Sequence, residues 1–381
     1  MKILHLASGT DYGGAKTHIF TLLVELSRRI DVTLGCFTDG PFLEEARRIG
    51  LKVHCLGQVT RYDLGAVGRL RRFVLERGFD IVHCHGPRAN VLAVLARPGL
   101  GRPLVTTVHS DYRKDFSGEF LKNLFFSRLN AWALKRFDRY LVGVGVEPSV
   151  VQLGVPRTLI RPLKNGIDFS RPRPRPREAA LAALGLPVPP DAVIVGIVAR
   201  LHPVKCHEVF LGGAAKVAPR HPKAHFLVVG EGRIRSALER MAERLGLGSR
   251  THFLGHVEDS DDVFSVLDIN TLTSFSETLP YALLEGARWS LATVSSNVGG
   301  VPELIIDGET GLLFEPGDVD GFGDRLDRLL GDPALRKKLG ENLYEHGRRH
   351  FTPAVMAETC LEVYRELLDG PDGGSRTDVS H

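Results

Sequence analysis

Two cationic side chains, Arg200 and Lys205, follow a predicted strand near the middle of the chain. The strand is the apolar run 193–198, and the two cations are five residues apart. An arginine fork can hold two phosphate oxygens, and a lysine adds a point charge. The pair therefore suits a diphosphate, although two solvated surface charges are the commoner interpretation of such a pattern.

Two carboxylates, Glu277 and Glu285, flank a predicted helix start further along the chain. Pro280 suits the first turn of a helix, which puts Glu277 in the preceding loop and Glu285 within the helix. A helical stretch would separate them by about 12 Å, roughly the reach from a ribose to a hexose across a pyrophosphate. One carboxylate could accept hydrogen bonds from ribose and the other from sugar hydroxyls. Two ordinary surface glutamates are the alternative.

Glycine-rich turns follow several predicted strands. Gly13 and Gly14 come after the first strand, at a helix start where the backbone could approach a phosphate, and a plain tight turn is the equal alternative. The turns at 230–232 and 298–304 pose the same choice. The turns at 9–14 and 230–235 lack the spacing of the dinucleotide fingerprint, which weakens a nicotinamide interpretation.

Short apolar runs alternate with helical patterns through the first half of the chain, as in a parallel sheet covered by helices. The predicted strands are 3–7, 32–37, 53–56, 81–84, 104–108 and 140–144. This alternation predicts a doubly wound, Rossmann-like α/β domain over residues 1–169.

Alternating prolines and arginines at 170–176 interrupt this pattern and predict an extended linker, with a loop inside one domain as the alternative. Strands then recur at 193–198, 225–229, 252–254, 269–272 and 292–295. A second Rossmann-like domain is expected over 170–351, facing the first across a cleft, and ligands should bind at the carboxyl ends of the strands. A last helix follows, with a flexible tail at 369–381.

The composition is that of an ordinary globular protein: 381 residues, 43% hydrophobic and 25% charged. No apolar run approaches the ~18 residues that span a bilayer, so a transmembrane protein is excluded. The N-terminal apolar stretch is too short for a signal peptide, which predicts a cytoplasmic protein. Five scattered cysteines without a CxxC pattern fit reduced thiols.

The net charge of +4 conceals an asymmetry, because residues 1–165 carry +11 and residues 166–381 carry −7. The first half should therefore attract anions. Segment 113–140 mixes cations with aromatic residues, which predicts peripheral contact with an anionic membrane, and an ordinary helix packed in the first domain is the alternative. No nucleic-acid-binding motif accompanies the charge.

Taken in order, these features resemble the retaining nucleotide-sugar glycosyltransferases of family 4, whose GT-B fold has two facing Rossmann-like domains. The resemblance extends from Gly13 and Gly14 to the last helix. The motifs that carry it are 80–85, 105–109, 164–168, Arg200 with Lys205, 230–232, 277–285, 298–304 and 307–313.

The resemblance implies a catalytic or binding role for each matching residue. Arg200 and Lys205 would bind the donor diphosphate and stabilise its growing charge as it leaves, an effect typically worth several kcal/mol. Glu277 would hold the donor sugar and Glu285 the ribose. His109 would orient the sugar.

Further implications concern the donor loop and the chain end. Leu279 and Pro280 would belong to the donor-binding loop, and Gly13 and Gly14 would let the backbone approach the phosphates. The helix at 352–368 would cross back onto the first domain. No covalent nucleophile is needed, because the departing phosphate would act as the base.

Four departures from the family pattern put the donor identity and the turnover in doubt. Thr278 and Cys206 stand where glycines are usual, and Trp289 lies in a stretch that usually has small residues. Residues 143–145 read Gly-Val-Gly in place of Ala-Val-Ser. Both glutamates and both cations are nevertheless present.

Two metal signals are weak. His83 and His85 are close together at a strand end, but the sequence shows no third and fourth ligand. The DxD patterns at 259–261 and 318–320 precede helical stretches and suit N-terminal caps. Binding without a metal is therefore expected.

The prediction is a retaining, metal-independent hexosyl- or N-acetylhexosaminyl-type glycosyltransferase that uses a nucleoside diphosphate sugar and no cofactor. The acceptor would be a glycan or lipid-linked, in cell-envelope polysaccharide biosynthesis, at the inner face of the membrane. A small-molecule glycosyltransferase or a nucleotide-sugar epimerase on the same fold is one alternative. A non-catalytic regulator that binds sugar nucleotides is another.

Overall fold

A computed structural model describes residues 1–11, 13–58, 60, 63–109, 120–170 and 176–369, with the backbone alone for 120–125. The predicted tail beyond residue 369, most of the Pro-Arg linker and the start of segment 113–140 lie outside these residues. The chain divides into two compact units. Unit 1 comprises Met1–Gly166 and the segment from Pro353 onward, and unit 2 comprises Ile167–Thr352.

Unit 1 is a parallel sheet with helices on both faces. Its described strands are β1 Lys2–Ala7, β2 Asp31–Cys36, β3 Val53–Cys55, β4 Ile81–His85, β5 Leu104–Val108, β6 Arg139–Gly143 and β7 Ile160–Leu163. Its described helices are α1 Gly14–Ser27, α2 Pro41–Arg48, α3 Gly65–Arg77, α4 Pro87–Ala96, α5 Phe120–Leu134, α6 Glu147–Gln152 and, from the chain end, α14 Pro353–Asp369. The strand order β3-β2-β1-β4-β5-β6-β7 is the doubly wound order extended by one edge strand.

Unit 2 repeats this plan. Its described strands are β8 Val193–Val198, β9 Ala224–Val229, β10 Thr251–Gly255, β11 Ile269–Leu272, β12 Ala292–Ser296 and β13 Leu312–Phe314. Its described helices are α7 Arg177–Ala183, α8 His207–Val217, α9 Arg235–Arg244, α10 Ser260–Val266, α11 Tyr281–Arg288, α12 Val319–Gly331 and α13 Pro333–His350. The strand order is β10-β9-β8-β11-β12-β13, so β8 and β11 are neighbours and their following loops lie side by side.

Apolar side chains fill both faces of each sheet. In unit 1, the C-terminal helix α14 packs on the sheet face that also carries α1, and it buries Met356, Cys360 and Tyr364 there. Helix α14 is therefore part of the core that supports β1 and β4.

Segment 113–140 is described in its second part only. Ala133, Leu134 and Phe137 are buried in the core of unit 1, and Trp132 packs partly against it. This part of the segment therefore behaves as an ordinary helix with an inward apolar face. Among the described residues, no helix is both long and apolar enough to cross a bilayer.

Candidate functional site

The two sequence-predicted charges Lys205 and Glu277 form an ion pair in unit 2. Lys205 ends a short 3₁₀ turn, Pro203–Lys205, that follows β8, and its Nζ lies 2.5 Å from Oε1 of Glu277. The exposed fractions of the two side chains are only 17% and 8%. A lysine has three N–H donors, so the pairing leaves two of them for another anion. Arg200 is exposed on the same loop.

Glu277 is held by a network that joins the loops after β8 and β11. The hydroxyl of Ser274 donates to Oε1 of Glu277 at 2.5 Å. The hydroxyl of Thr273 donates to the carbonyl of Cys206 at 2.8 Å, and the Phe275 N–H donates to the carbonyl of Val204 at 2.8 Å. The Lys205–Glu277 geometry is thus fixed by the backbone on both sides.

The glycine at position 299 allows a third loop to lie against Glu277. Gly299 has a φ of +53°, and a Cβ there would lie 1.8 Å from the carbonyl oxygen of Glu277. The N–H of Gly300 donates to the carbonyl of Thr278 at 2.7 Å. The glycines at 299 and 300 therefore serve close backbone packing that positions the glutamate.

The glycines of the 230–232 turn perform the same task for the Arg200 loop. A Cβ on Gly230 would lie 2.0 Å from the carbonyl oxygen of Ala199, and one on Gly232 would lie 1.9 Å from that of Leu201. In unit 1, by contrast, a Cβ on Gly13 would meet no atom within 4 Å. Its φ of +60° at the start of α1 is what favours glycine there.

Glu285 lies one turn into α11, at the side of an open depression of about 410 Å³. The hydroxyl of Ser260 donates to its Oε1 at 3.3 Å. The depression is lined by Glu258, Asp259, Ser260, Asp261, Glu285 and Arg288, and Arg288 forms a close ion pair with Asp261. Glu285, whose carboxylate can accept hydrogen bonds, and Arg288, which is paired with Asp261, thus lie together at this surface.

Two residues of the predicted donor loop have structural roles. Pro280 is the residue before the first helical residue of α11, with an extended backbone, so the stretch from Glu277 to Glu285 is only partly helical. Leu279 is buried in the apolar core with Leu283, which leaves only its backbone for contact with a ligand.

The DxD patterns are helix caps, as expected. Asp259 accepts the N–H of Asp261 at the start of α10, and Asp318 accepts the N–H of Gly321 at the start of α12.

The backbone conformation shows what two of the departures from the family pattern, Cys206 and Thr278, mean for local strain. Cys206 has a left-handed φ of 49°, which accounts for the usual glycine. Thr278 does not have a positive φ, so its side chain adds no such strain.

His109 belongs to a cluster of histidines in unit 1 that the sequence did not predict. Two groups of three have ring nitrogens within 4.8 Å of one another, and the cluster comprises His5, His18, His83, His85 and His109. The sequence shows no third and fourth ligand beside His83 and His85, whereas the structure brings further histidines close to them. The missing partners lie on neighbouring elements, since β1 pairs with β4 and places His5 opposite His83.

Burial favours the neutral form of these imidazoles, which have no carboxylate partner among the described residues. Burial lowers the pKa of His5 to about 3 and that of His18 to about 4. It also holds the pKa values of His83, His85 and His109 well below 6.5, with repulsion from the other histidines adding to the effect.

Two family models match the chain and together cover most of it. The model for Glycosyltransferase Family 4 matches residues 12–171, and the model for glycosyl transferases group 1 matches residues 185–346. With the two Rossmann-like units described above, these matches define the class of protein. The chain belongs to the group 1 glycosyltransferase family and is a glycosyltransferase.

Individual relatives support this assignment over nearly the whole chain. The D-inositol 3-phosphate glycosyltransferase of Saccharomonospora viridis is 27% identical, over 94% of this chain and 90% of its own length. The crystal structure of Anabaena HepE in complex with UDP and glucose has a TM-score of 0.83 at 22% identity, covering 96% of this chain and all of that one. Sucrose-phosphate synthase from Thermosynechococcus elongatus has a TM-score of 0.77 at 19% identity, covering 96% of this chain and 99% of its own. The predicted GT-B fold is confirmed.

Proposed function

We propose that this glycosyltransferase transfers a sugar from a nucleoside diphosphate sugar to an acceptor with retention of the anomeric configuration. The observation that carries the proposal is the buried Lys205–Glu277 pair, which puts a phosphate-binding cation beside a carboxylate that can accept hydrogen bonds from sugar hydroxyls. Lys205 and the exposed Arg200 would bind the diphosphate and stabilise the charge that develops as it leaves. Glu285 would accept hydrogen bonds from the ribose.

A structural neighbour suggests which donor to test first. Structures of Anabaena HepE contain UDP and UDP-glucose, which makes a uridine diphosphate hexose the first donor to test. In this proposal no metal ion or cofactor takes part, since Arg200 and Lys205 supply the positive charge and both DxD patterns are used as helix caps. Turnover should therefore persist in the presence of EDTA.

The acceptor is proposed to be an anionic, lipid-phosphate-linked glycan in cell-envelope polysaccharide biosynthesis. The net charge of +11 over residues 1–165 supports this choice. A small phosphorylated polyol is the second candidate, because the relative from Saccharomonospora viridis is a D-inositol 3-phosphate glycosyltransferase. Product analysis distinguishes the two, since the transferred sugar would be extractable with lipid only in the first case.

The activity is tested by measuring release of the nucleoside diphosphate with and without acceptor. We expect release that depends on the acceptor and that is lost in Glu277→Gln, with Glu309→Gln as the matched exposed control. Binding of the nucleotide sugar without any acceptor-dependent release would instead support the non-catalytic regulator. An epimerised donor as the product would support the epimerase alternative.

Peripheral contact with the inner face of an anionic membrane is proposed for segment 113–140. Arg128, Lys135 and Arg136 are exposed on its described part, where the apolar side chains from Trp132 onward pack inward, so the contact would be largely electrostatic there. Flotation with anionic vesicles at low salt tests this. We expect binding that weakens with salt and that is reduced in a triple Glu variant of these cations, whereas no binding at low salt would contradict the proposal.

A further inference from the structure

A continuous line of hydrogen-bonded side chains crosses the interior of unit 1 and ends at His109. It joins residues of β1, β4, β5 and the C-terminal helix α14. The line runs Thr107, His83, Tyr364, His5, His85, His109, with successive separations of 2.7, 2.6, 3.2, 2.9 and 3.5 Å. All of these side chains except His109 are at most 2% exposed.

Each ring has a fixed number of N–H groups and lone pairs, and this number limits the directions in which the hydrogen bonds of the line can be donated. A neutral imidazole carries one N–H and one lone pair, and burial keeps the pKa values of these histidines below the neutral range. Each ring of the line uses one nitrogen toward each neighbour. Tyr364 also has Cys360 as a hydrogen-bond partner, but a thiol sulfur is a weaker acceptor than an imidazole nitrogen, so the tyrosine hydroxyl donates to a histidine of the line. If one ring then donates in a given direction, every other ring donates in that direction too, and the line has two arrangements.

Thr107 selects between the two arrangements. Its hydroxyl is buried, and Nε2 of His83 is its one hydrogen-bond partner among the described residues. A buried hydroxyl proton without an acceptor is costly, so the hydroxyl donates to His83.

The protons along the rest of the line follow from that choice. Nδ1 of His83 donates to the oxygen of Tyr364, whose hydroxyl donates to Nε2 of His5, and Nδ1 of His5 donates to Nε2 of His85. The last proton, on Nδ1 of His85, points at Nε2 of His109.

We infer that this hydrogen-bonded line is a positioning device that holds His109 as the Nδ1–H tautomer, with Tyr364 on α14 as its central link. The Nε2 lone pair of His109 is used by His85, and the remaining N–H at Nδ1 is a fixed donor. The catalytic consequence rests on the proposed function and on the role that the family resemblance implies for His109, which is to orient the donor sugar. A fixed N–H donor suits an oxygen of that donor and would discriminate against a group that can only donate.

The same proton arrangement argues against a metal ion in the histidine cluster. Both nitrogens of His83 have protein partners, and Nδ1 of His85 carries a proton, so neither group of three offers three lone pairs.

His18 is the remaining histidine of the cluster, and its ring lies beside that of His109. Its Nδ1 donates to the side-chain oxygen of Asn165 at 2.8 Å, and its buried Nε2 has no hydrogen-bond partner among the described residues. The His18 and His109 ring centroids are 4.4 Å apart.

The tautomer can be observed directly by NMR of the full chain with ¹⁵N-labelled histidine. Long-range ¹H–¹⁵N correlations distinguish an Nδ1–H ring from an Nε2–H ring, and His109→Gln assigns the signal. We expect His109 to be the Nδ1–H form, which is the minor tautomer of free histidine. An Nε2–H signal for His109 would overturn the inference, as would a stoichiometric zinc content in the purified protein.

Two variants break the line at different points, and a third serves as the control. Tyr364→Phe removes the central hydroxyl, and Thr107→Val removes the terminal donor while keeping the side-chain shape, so each should return His109 to a mixture rich in the Nε2–H form. Tyr140→Phe also deletes a buried hydroxyl of unit 1, one that binds the Leu134 carbonyl away from the histidines. It should leave the His109 signal unchanged. A His109 signal that stays Nδ1–H in both Tyr364→Phe and Thr107→Val would overturn the inference.

The kinetic consequence is tested separately. Tyr364→Phe should lower kcat about tenfold with little change in KM for the donor, and Tyr140→Phe should not. The NMR experiment requires no substrate, so it tests the tautomer of His109 even if the chain transfers no sugar. An Nδ1–H tautomer that responds to Tyr364→Phe in a protein without transferase activity would refute the proposed function alone.

Discussion

The candidate sites of the two units are built from opposite kinds of side chain. In unit 2, Lys205 and Glu277 are charged partners, and Arg288 and Asp261 form a second pair nearby. In unit 1, four of the five clustered histidines are buried and His109 is partly buried, and none of them has a charged partner among the described residues, although residues 1–165 carry the large positive charge. Net charge therefore describes the surface of each half, whereas burial and pairing decide the charge of each site.

The difference suits two kinds of chemistry. In the proposed function, the cations of unit 2 would stabilise a diphosphate that leaves with growing negative charge. The neutral histidines of unit 1 are instead suited to directional hydrogen bonds with uncharged groups. The predictions below test this division, from the largest expected effect to the smallest.

The largest effect is expected from neutralising Glu277. Glu277→Gln keeps the shape but removes the charge that holds Lys205 and the proposed sugar hydroxyls, so turnover should fall by about 100-fold or more. The control is Glu309→Gln, the same chemical change at an exposed site. A Glu277→Gln turnover within threefold of the parent would show that this carboxylate does not take part.

The backbone that positions Glu277 is tested by Gly299→Ala. The added Cβ would lie 1.8 Å from the carbonyl oxygen of Glu277 and would also strain a positive φ, so the free energy of unfolding should fall by about 3 kcal/mol. Gly308→Ala shares the positive φ, but its Cβ meets no atom within 4 Å, so about 1 kcal/mol is expected. Equal losses in urea unfolding would mean that the contact with Glu277 is unimportant.

A smaller effect is expected from Glu285→Ala. Losing a hydrogen bond to a charged acceptor should weaken binding of the nucleoside diphosphate about tenfold in calorimetric titration. Glu258→Ala removes another carboxylate from the same depression and should change the affinity less. Unaltered affinity in Glu285→Ala would refute the ribose assignment.

The neutral histidines of unit 1 predict how stability depends on pH. Unfolded histidine takes up a proton near pH 6.5, whereas burial lowers the folded pKa of His18 to about 4 and that of His5 to about 3. Between these values the unfolded state binds more protons, so stability is full above pH 6.5 and falls as the pH is lowered. The slope for each such histidine is at most about 1.4 kcal/mol per pH unit.

Urea unfolding at pH 7.5, 6.0 and 5.0 measures this slope. The variant His18→Gln removes one of the contributing groups and should give a shallower dependence than the parent. Identical slopes would mean that His18 is not held neutral in the folded chain.

Much of the scaffold could be predicted because interior strands of a parallel sheet are continuous apolar runs. The runs at 104–108, 193–198 and 269–272 match their strands at both ends. The two strands without a sequence prediction, β7 and β13, lie at sheet edges. Arg161 and Pro162 interrupt the apolar pattern of β7, and β13 is an apolar run of only three residues, which is a weak strand signal.

The sequence points to Lys205 and Glu277 individually but not to the contact between them. Lys205 and Glu277 are 72 positions apart, and their pairing depends on β8 and β11 being neighbours. His5 was read only as part of a strand, although the doubly wound order puts β1 beside β4 and hence His5 beside His83. The sequence is equally compatible with a ligand-binding loop and with a plain turn at Gly299. Its actual role depends on a carbonyl that sequence alone does not position.

The central claim is that unit 2 binds a nucleoside diphosphate sugar beside Lys205 and Glu277. It is tested most directly by a thermal-shift screen of the full chain against nucleoside diphosphates and their sugars. We expect one nucleoside diphosphate and its sugar to raise Tm by about 3 °C or more at saturating concentration, and the shift to shrink in Glu285→Ala. A panel in which no nucleotide or nucleotide sugar changes Tm would contradict the claim.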